Sequence, residues 1–273
     1  MPPVIKDFKN KKLVEYLEPG MRVLVQFNRH GIGDQIMWQP AYQRLKQLHP
    51  EVEWHMEPNR DQQYFAETPK APVDIIFNIA FRETATKRVN AEPLSKAERC
   101  CREELGIPFD KDLDFTWCPN YVYDQPAIKD NCIGFSWQVQ SNPTRGMPWG
   151  IAQKLWAHIK ARGFTPIEVT FNNPNANKRN GKPSFVDYTC RDLKATEMNM
   201  FSVINQCKGF IGVNTGTFCA ATCIHCGHVL HVYTGAVHFS PWYKRFDPVP
   251  DLDVSTGSID FKKVDDYLES CRD

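Results

Sequence analysis

No stretch of this chain reaches the roughly 18 consecutive apolar residues that cross a bilayer, and Met1-Pro-Pro-Val-Ile-Lys lacks the apolar core of a signal peptide. An excess of one charge is missing too. Lys and Arg number 33 against 32 Asp and Glu, a net +1, so no strongly basic domain announces a nucleic-acid partner. Nor does any long segment lack hydrophobic residues: 42% hydrophobic and 24% charged residues over 273 positions describe a folded globular protein with room for two cores. These absences predict a cytoplasmic address, with or without peripheral attachment to a membrane. Cysteine, in contrast, is plentiful. Ten cysteines in a chain that does not need disulfides to fold are read as reduced, mostly buried thiols.

Two series of α/β elements follow one another. In the first, Arg22 to Phe27 reads as a buried strand, Asn28 to Gly33 as a tight turn and Asp34 onward as a helix, with Met37, Ala41, Leu45 and Leu48 at helical spacing. Val52, Trp54 and Met56 then alternate with charged residues or histidine, which predicts a second, half-buried strand and one βαβ unit. Asp74 to Asn78 predicts a third strand, and Lys96 to Gly106 a short helix closed by glycine. Residues 118–130 read as a linker. The second series has strands at Cys132 to Ser136, Thr165 to Phe171, Gly209 to Val213 and His228 to Tyr233. Helices carry Ile151, Leu155 and Ile159, then Thr196 to Cys207 with Thr196 as N-cap, and finally Asp260 to Ser270. The expected architecture is two Rossmann-like domains, 1–125 and 126–273, whose parallel sheets face one another across a cleft, with the last helix free to pack back on the first domain.

Two turns at strand carboxyl ends carry chemistry. An acid beside a glycine turn at a helix start would spoil a phosphate cradle, which needs bare amides and the positive end of the helix dipole. Asp34 therefore reads as a reactive group. At Asn214-Thr-Gly-Thr217 the reverse holds: a glycine, two hydroxyls and unpaired amides open a helix, which suits an anion, although an ordinary capped βα turn has the same spacing. Arg145, on the loop Asn142-Pro-Thr-Arg-Gly-Met-Pro-Trp149, is a candidate for neutralising a diphosphate or a simply solvated cation.

Gly31-Ile-Gly-Asp-Gln-Ile-Met-Trp-Gln-Pro, Arg145-Gly-Met-Pro-Trp149 and Phe210-Ile-Gly-Val-Asn-Thr-Gly216, in that order, resemble glycosyltransferase family 9, which includes the bacterial heptosyltransferases of the lipopolysaccharide core. The resemblance implies a GT-B fold, with the acceptor on the first domain and a nucleotide-sugar donor on the second. It implies inverting transfer with no metal or other cofactor, and Asp34 as general base. It also places Gly31, Gly33 and Gln35 on the acceptor side, and Ser136, Arg145, Thr196, Asn214, Thr215, Gly216 and Thr217 around the donor. The expected function is transfer of a hexosyl, heptosyl or pentosyl group to a hydroxyl of a glycan, a lipid-linked sugar or modified DNA. The chain departs from the family where Asn214 replaces the usual aspartate and Cys219 the usual histidine, and it is shorter than typical members.

Other readings compete. A non-catalytic sugar-nucleotide binding protein of the same fold would show the same motifs, as would a virus-type enzyme glycosylating modified DNA bases. Cys219, Cys223 and Cys226 match the spacing of an iron–sulfur site and, with His225, His228 and His231, of a zinc site, but they also share one helical face, as buried thiols do. Asp112-Leu-Asp114 and Asp251-Leu-Asp253 read as solvated acids rather than metal ligands. The basic residues Lys6, Lys9, Lys11, Lys12, Arg82, Lys87 and Arg88 read as solvated faces.

Overall fold

The computed structural model describes residues 1–6, 11–27, 32–57, 66–79, 100–108, 127–139, 143–170, 184–193, 199–224, 228–235 and 250–272. Of these, residues up to 108 form one compact unit and residues from 127 onward a second. The expected boundary at 125/126 lies outside the described residues.

The first unit is built on a parallel sheet ordered β1(Val4–Ile5), β4(Ile75–Ile79), β2(Arg22–Phe27), β3(Glu53–Glu57). Val23, Leu24 and Val25 of β2 are all buried, as strands covered on both faces require. The helix α1(Ile32–Leu48) joins β2 to β3 and packs Ile36, Trp38, Ala41, Tyr42 and Leu45 inward, each with no exposed surface. It runs through Pro40 as one helix. β3 differs from the alternating pattern expected of it, because His55 is buried along with Trp54 and Met56, its Nε2 3.1 Å from Glu53 Oε1. The expected α-helix ending at Gly106 is described only as a π-helical segment, Cys100–Leu105, and Gly106 does close it at φ +77°.

The second unit holds a five-stranded parallel sheet ordered β6(Thr165–Glu168), β5(Cys132–Ser136), β7(Gly209–Gly212), β8(Val229–Tyr233), β9(Asp251–Asp253). Its described helices are α2(Trp149–Ala161), α3(Asn199–Gln206), α4(Gly216–Ile224) and α5(Phe261–Ser270). All five residues of β5 are buried. Gly134 is obligatory there, since a Cβ would stand 2.3 Å from the Phe210 ring of β7. The C-terminal helix α5 packs within the second unit. Val264, Tyr267 and Leu268 belong to the core of the second, where the buried Tyr267 hydroxyl accepts from Phe210 N at 2.7 Å and donates to His228 O at 2.9 Å. Asp260 caps α5 by accepting from Lys263 N.

In each sheet the order of strands reverses at one place. Chain order runs outward from β2 to β3 and then returns to β4 on the other side of β2. It likewise runs from β5 to β6 and returns to β7. Open α/β sheets bind ligands outside the strand carboxyl ends at such switch points. The start of α1, after β2, and the turn after β7 lie at them.

Candidate functional site

At the switch point of the second sheet, Val213 N donates to Ser136 O at 2.9 Å, which holds the ends of β5 and β7 together. Gly212 permits this approach: a Cβ there would meet Ser136 O at 3.0 Å. The chain then turns through Asn214 and Thr215 into α4. Thr215 is the N-cap, its Oγ1 accepting from Phe218 N at 3.2 Å and its carbonyl from Cys219 N at 2.9 Å. The same hydroxyl lies 2.7 Å from Thr217 Oγ1 and 3.0 Å from Ser136 Oγ, and Thr217 donates to Ser136 at 3.0 Å.

Three hydroxyls in a closed ring have three protons and three bonds to make. With Thr217 donating to Ser136, the remaining protons run from Ser136 to Thr215 and from Thr215 to Thr217. The ring consumes its own donors. What the turn offers an anion is therefore the first two amides of α4, Gly216 and Thr217, which have no hydrogen-bond partner among the described residues. The hydroxyls fix the backbone, and the backbone presents the charge.

The loop that bears Arg145 crosses this place. Arg145 closes the 3-10 turn Pro143–Arg145, and its carbonyl accepts from Thr234 Oγ1 at 3.3 Å, just past β8. Two residues on, Met147 N donates to Trp137 O at 2.8 Å, just past β5. β7 lies between β5 and β8, so the loop spans the carboxyl edge where the turn into α4 stands. The Arg145 guanidinium is exposed and has no partner among the described residues. Sequence reasoning missed Thr234, Trp137 and Glu168. Glu168 ends β6, is 2% exposed and accepts from Trp137 Nε1 at 2.9 Å. Their signal was position: each stands at or one past a strand end.

In the first unit the helix begins earlier than expected. α1 starts at Ile32, so Gly33 and Asp34 are in its first turn and not in a loop ahead of it. An acid in that turn is ordinary, because the positive end of the helix dipole favours a carboxylate there. Gly31 and the rest of the expected turn lie outside the described residues, as does Thr196. Gln35 follows Asp34 with no exposed surface, and both ends of its amide lack a hydrogen-bond partner among the described residues. One turn later Gln39, 3% exposed, reaches Met56 Sδ at 3.4 Å.

No family model matches the chain, and no curated protein matches it by sequence. Solved structures do. The family 9 glycosyl transferase of Veillonella parvula superposes with a TM-score of 0.61 at 15% identity, over 91% of this chain and 97% of that one. The E. coli heptosyltransferase WaaC with ADP gives 0.54 at 12% identity, over 80% and 89%. The E. coli ADP-heptose lipopolysaccharide heptosyltransferase II gives 0.52 at 13%, over 92% and 98%. The chain has a GT-B-like fold.

Among the described residues no group of three or more His, Cys, Asp or Glu side chains is placed to hold a metal ion. Cys219 is buried in α4, whereas Cys226 and His225 lie outside the described residues. None of the six cysteines with described side chains forms a disulfide. Burial pushes the Cys132 thiol up to about 11 and raises those of Cys190, Cys207 and Cys271, which keeps them protonated and unreactive near neutrality. Asp251-Leu-Asp253, read as solvated, is the edge strand β9. Asp251 Oδ1 pairs with His231 Nδ1 at 2.8 Å and Asp253 accepts from Ser255 N, so local hydrogen bonds occupy both acids. Asp112-Leu-Asp114 lies outside the described residues. Among the described residues no helix is long and apolar enough to cross a membrane.

Proposed function

We propose that the protein is a glycosyltransferase that moves a sugar from a nucleoside-diphosphate sugar to an acceptor hydroxyl. The observation that carries this reading is the turn after β7. An N-terminal helical turn with two unspent amides, braced by the Ser136–Thr215–Thr217 ring and spanned by the Arg145 loop, stands at a switch point of a GT-B-like fold. The similar E. coli heptosyltransferases, one solved with ADP and one named for ADP-heptose, support a nucleotide donor.

The chemistry assigns one task to each turn. As the acceptor oxygen bonds to the anomeric carbon, the bond from that carbon to the diphosphate breaks, and the acceptor proton passes to the Asp34 carboxylate. One displacement on the face opposite the leaving group inverts the anomeric centre. The diphosphate leaves with added negative charge, met by the Gly216 and Thr217 amides, the α4 dipole and Arg145. Positive charge from these groups takes the part a metal ion plays in other transferases. Gln35, whose buried amide has no partner among the described residues, is assigned to the acceptor side as the neighbour of Asp34 in the first turn of α1.

The test is calorimetry with ADP, followed by transfer assays with ADP-sugars against glycan, lipid-linked and DNA acceptors. Asp34→Asn is expected to keep ADP affinity and lose at least about 100-fold in turnover, the lower end of what a general base contributes. Full turnover in that variant would remove Asp34 from its role. Nucleotide binding by the wild type without transfer to any acceptor would favour a binding protein instead.

A further inference from the structure

On the β6 side of the phosphate turn lies an aromatic cluster with no part in the scheme above. Trp137 directly follows Ser136, a member of the hydroxyl ring, and is 6% exposed. Trp149, the first residue of α2 and four after Arg145, is 47% exposed. Its ring centroid is 5.7 Å from that of Trp137 and 5.1 Å from that of Phe185, both at interplanar angles of 86°. Trp137 and Phe185 also meet edge to face at 5.5 Å. An indole held by two rings cannot swing freely, yet nearly half its surface stays in water. Burying such a surface is favourable, and a flat π system is the partner its shape suits.

Position along the sheet edge selects the occupant. Arg145 is tied toward β8 through Thr234, the amides of Gly216 and Thr217 follow β7, and Ser136 ends β5. Trp137 continues from β5 toward β6, where it bonds Glu168. Trp149 is thus at the end of a row whose middle is the turn assigned above to the diphosphate. A nucleoside diphosphate laid along that row with its phosphates at α4 brings its other end, the base, to the indole.

We propose that Trp149 is the stacking platform for the nucleobase of the donor, an inference that rests on the nucleotide-donor reading above. The Arg145 loop would then serve two contacts: its arginine meets the phosphates and its tryptophan meets the base. Base–aromatic stacking spans roughly 5- to 150-fold in affinity on alanine substitution.

The experiment compares ADP, UDP and inorganic pyrophosphate on wild type, Trp149→Ala and Trp149→Phe by calorimetry, with circular dichroism confirming the fold of each. Trp149→Ala is expected to weaken ADP by at least 5-fold and leave pyrophosphate unchanged. Trp149→Phe should retain most ADP affinity and lose most of the ADP-dependent quenching of tryptophan fluorescence. Unchanged ADP affinity in Trp149→Ala overturns the proposal, and so does equal weakening of ADP and pyrophosphate, which would place the effect in the loop's shape. Failure of the wild type to bind any nucleotide is a different result: it overturns the donor reading itself.

Discussion

Replacing Gln35 by leucine is expected to stabilise this protein, against the usual sign for a change at a fully buried position. Gln35 has no exposed surface, and its amide nitrogen and oxygen both lack a hydrogen-bond partner among the described residues. A buried polar group left unpaired costs about 1–3 kcal/mol, and leucine removes two such groups while filling nearly the same volume. Misfit of a volume-conserving swap takes back under about 1.5 kcal/mol. The net gain is at least about 0.5 kcal/mol, or at least about 1 °C in Tm at roughly 2–4 °C per kcal/mol. Thermal unfolding followed by circular dichroism, with and without ADP, measures it. The same variant should raise the acceptor KM and leave ADP affinity alone, because the amide is assigned to the acceptor side. A Gln35→Leu protein less stable than wild type would refute the reasoning, since it would mean that the amide is satisfied in solution.

Thr215→Val removes the α4 cap and one corner of the hydroxyl ring, so stability should fall by about 1–3 kcal/mol and ADP affinity should drop, whereas Thr215→Ser keeps both; urea unfolding and calorimetry on the pair decide it. Gly134→Ala sets a methyl against the Phe210 ring at 2.3 Å, an overpacking that should cost about 1–3 kcal/mol, and Gly134→Ala with Phe210→Leu should recover part of that loss in the same unfolding assay.

Most strands of both sheets were legible because parallel strands covered on two faces become runs of apolar residues, as in Val23-Leu-Val25 and Ile133-Gly-Phe135. The helix at 149–161 was legible because Ile151, Leu155 and Ile159 repeat at helical spacing, and all three are buried. Contacts between residues distant in sequence were not. The ring closes between Ser136 and Thr215 across 79 positions, and nothing local to either residue records that their hydroxyls consume one another. The seat of α5 in the second unit was not legible for the same reason: Tyr267 is bonded to the backbone of Phe210, 57 residues away. The two-residue strand β1, paired with β4 through Val4 and Ile5, is too short to show a period. For the acid of the first turn, the shift of the helix start to Ile32 changed the meaning of the sequence, from a misplaced carboxylate to one the helix favours.

The two helix starts differ in how complete they are. At α4 the capping residue bonds Phe218, the ring uses every hydroxyl proton, and two amides remain, directed by the cap. Such a turn needs no rearrangement to receive a diphosphate, and a preorganised site loses little affinity to ordering. At α1 the side chain after Asp34 is buried with its hydrogen bonds unmade. Within the proposed reaction the donor therefore binds to a site already built. A protein so arranged should hold a nucleotide well in the absence of acceptor, which calorimetry with ADP alone measures.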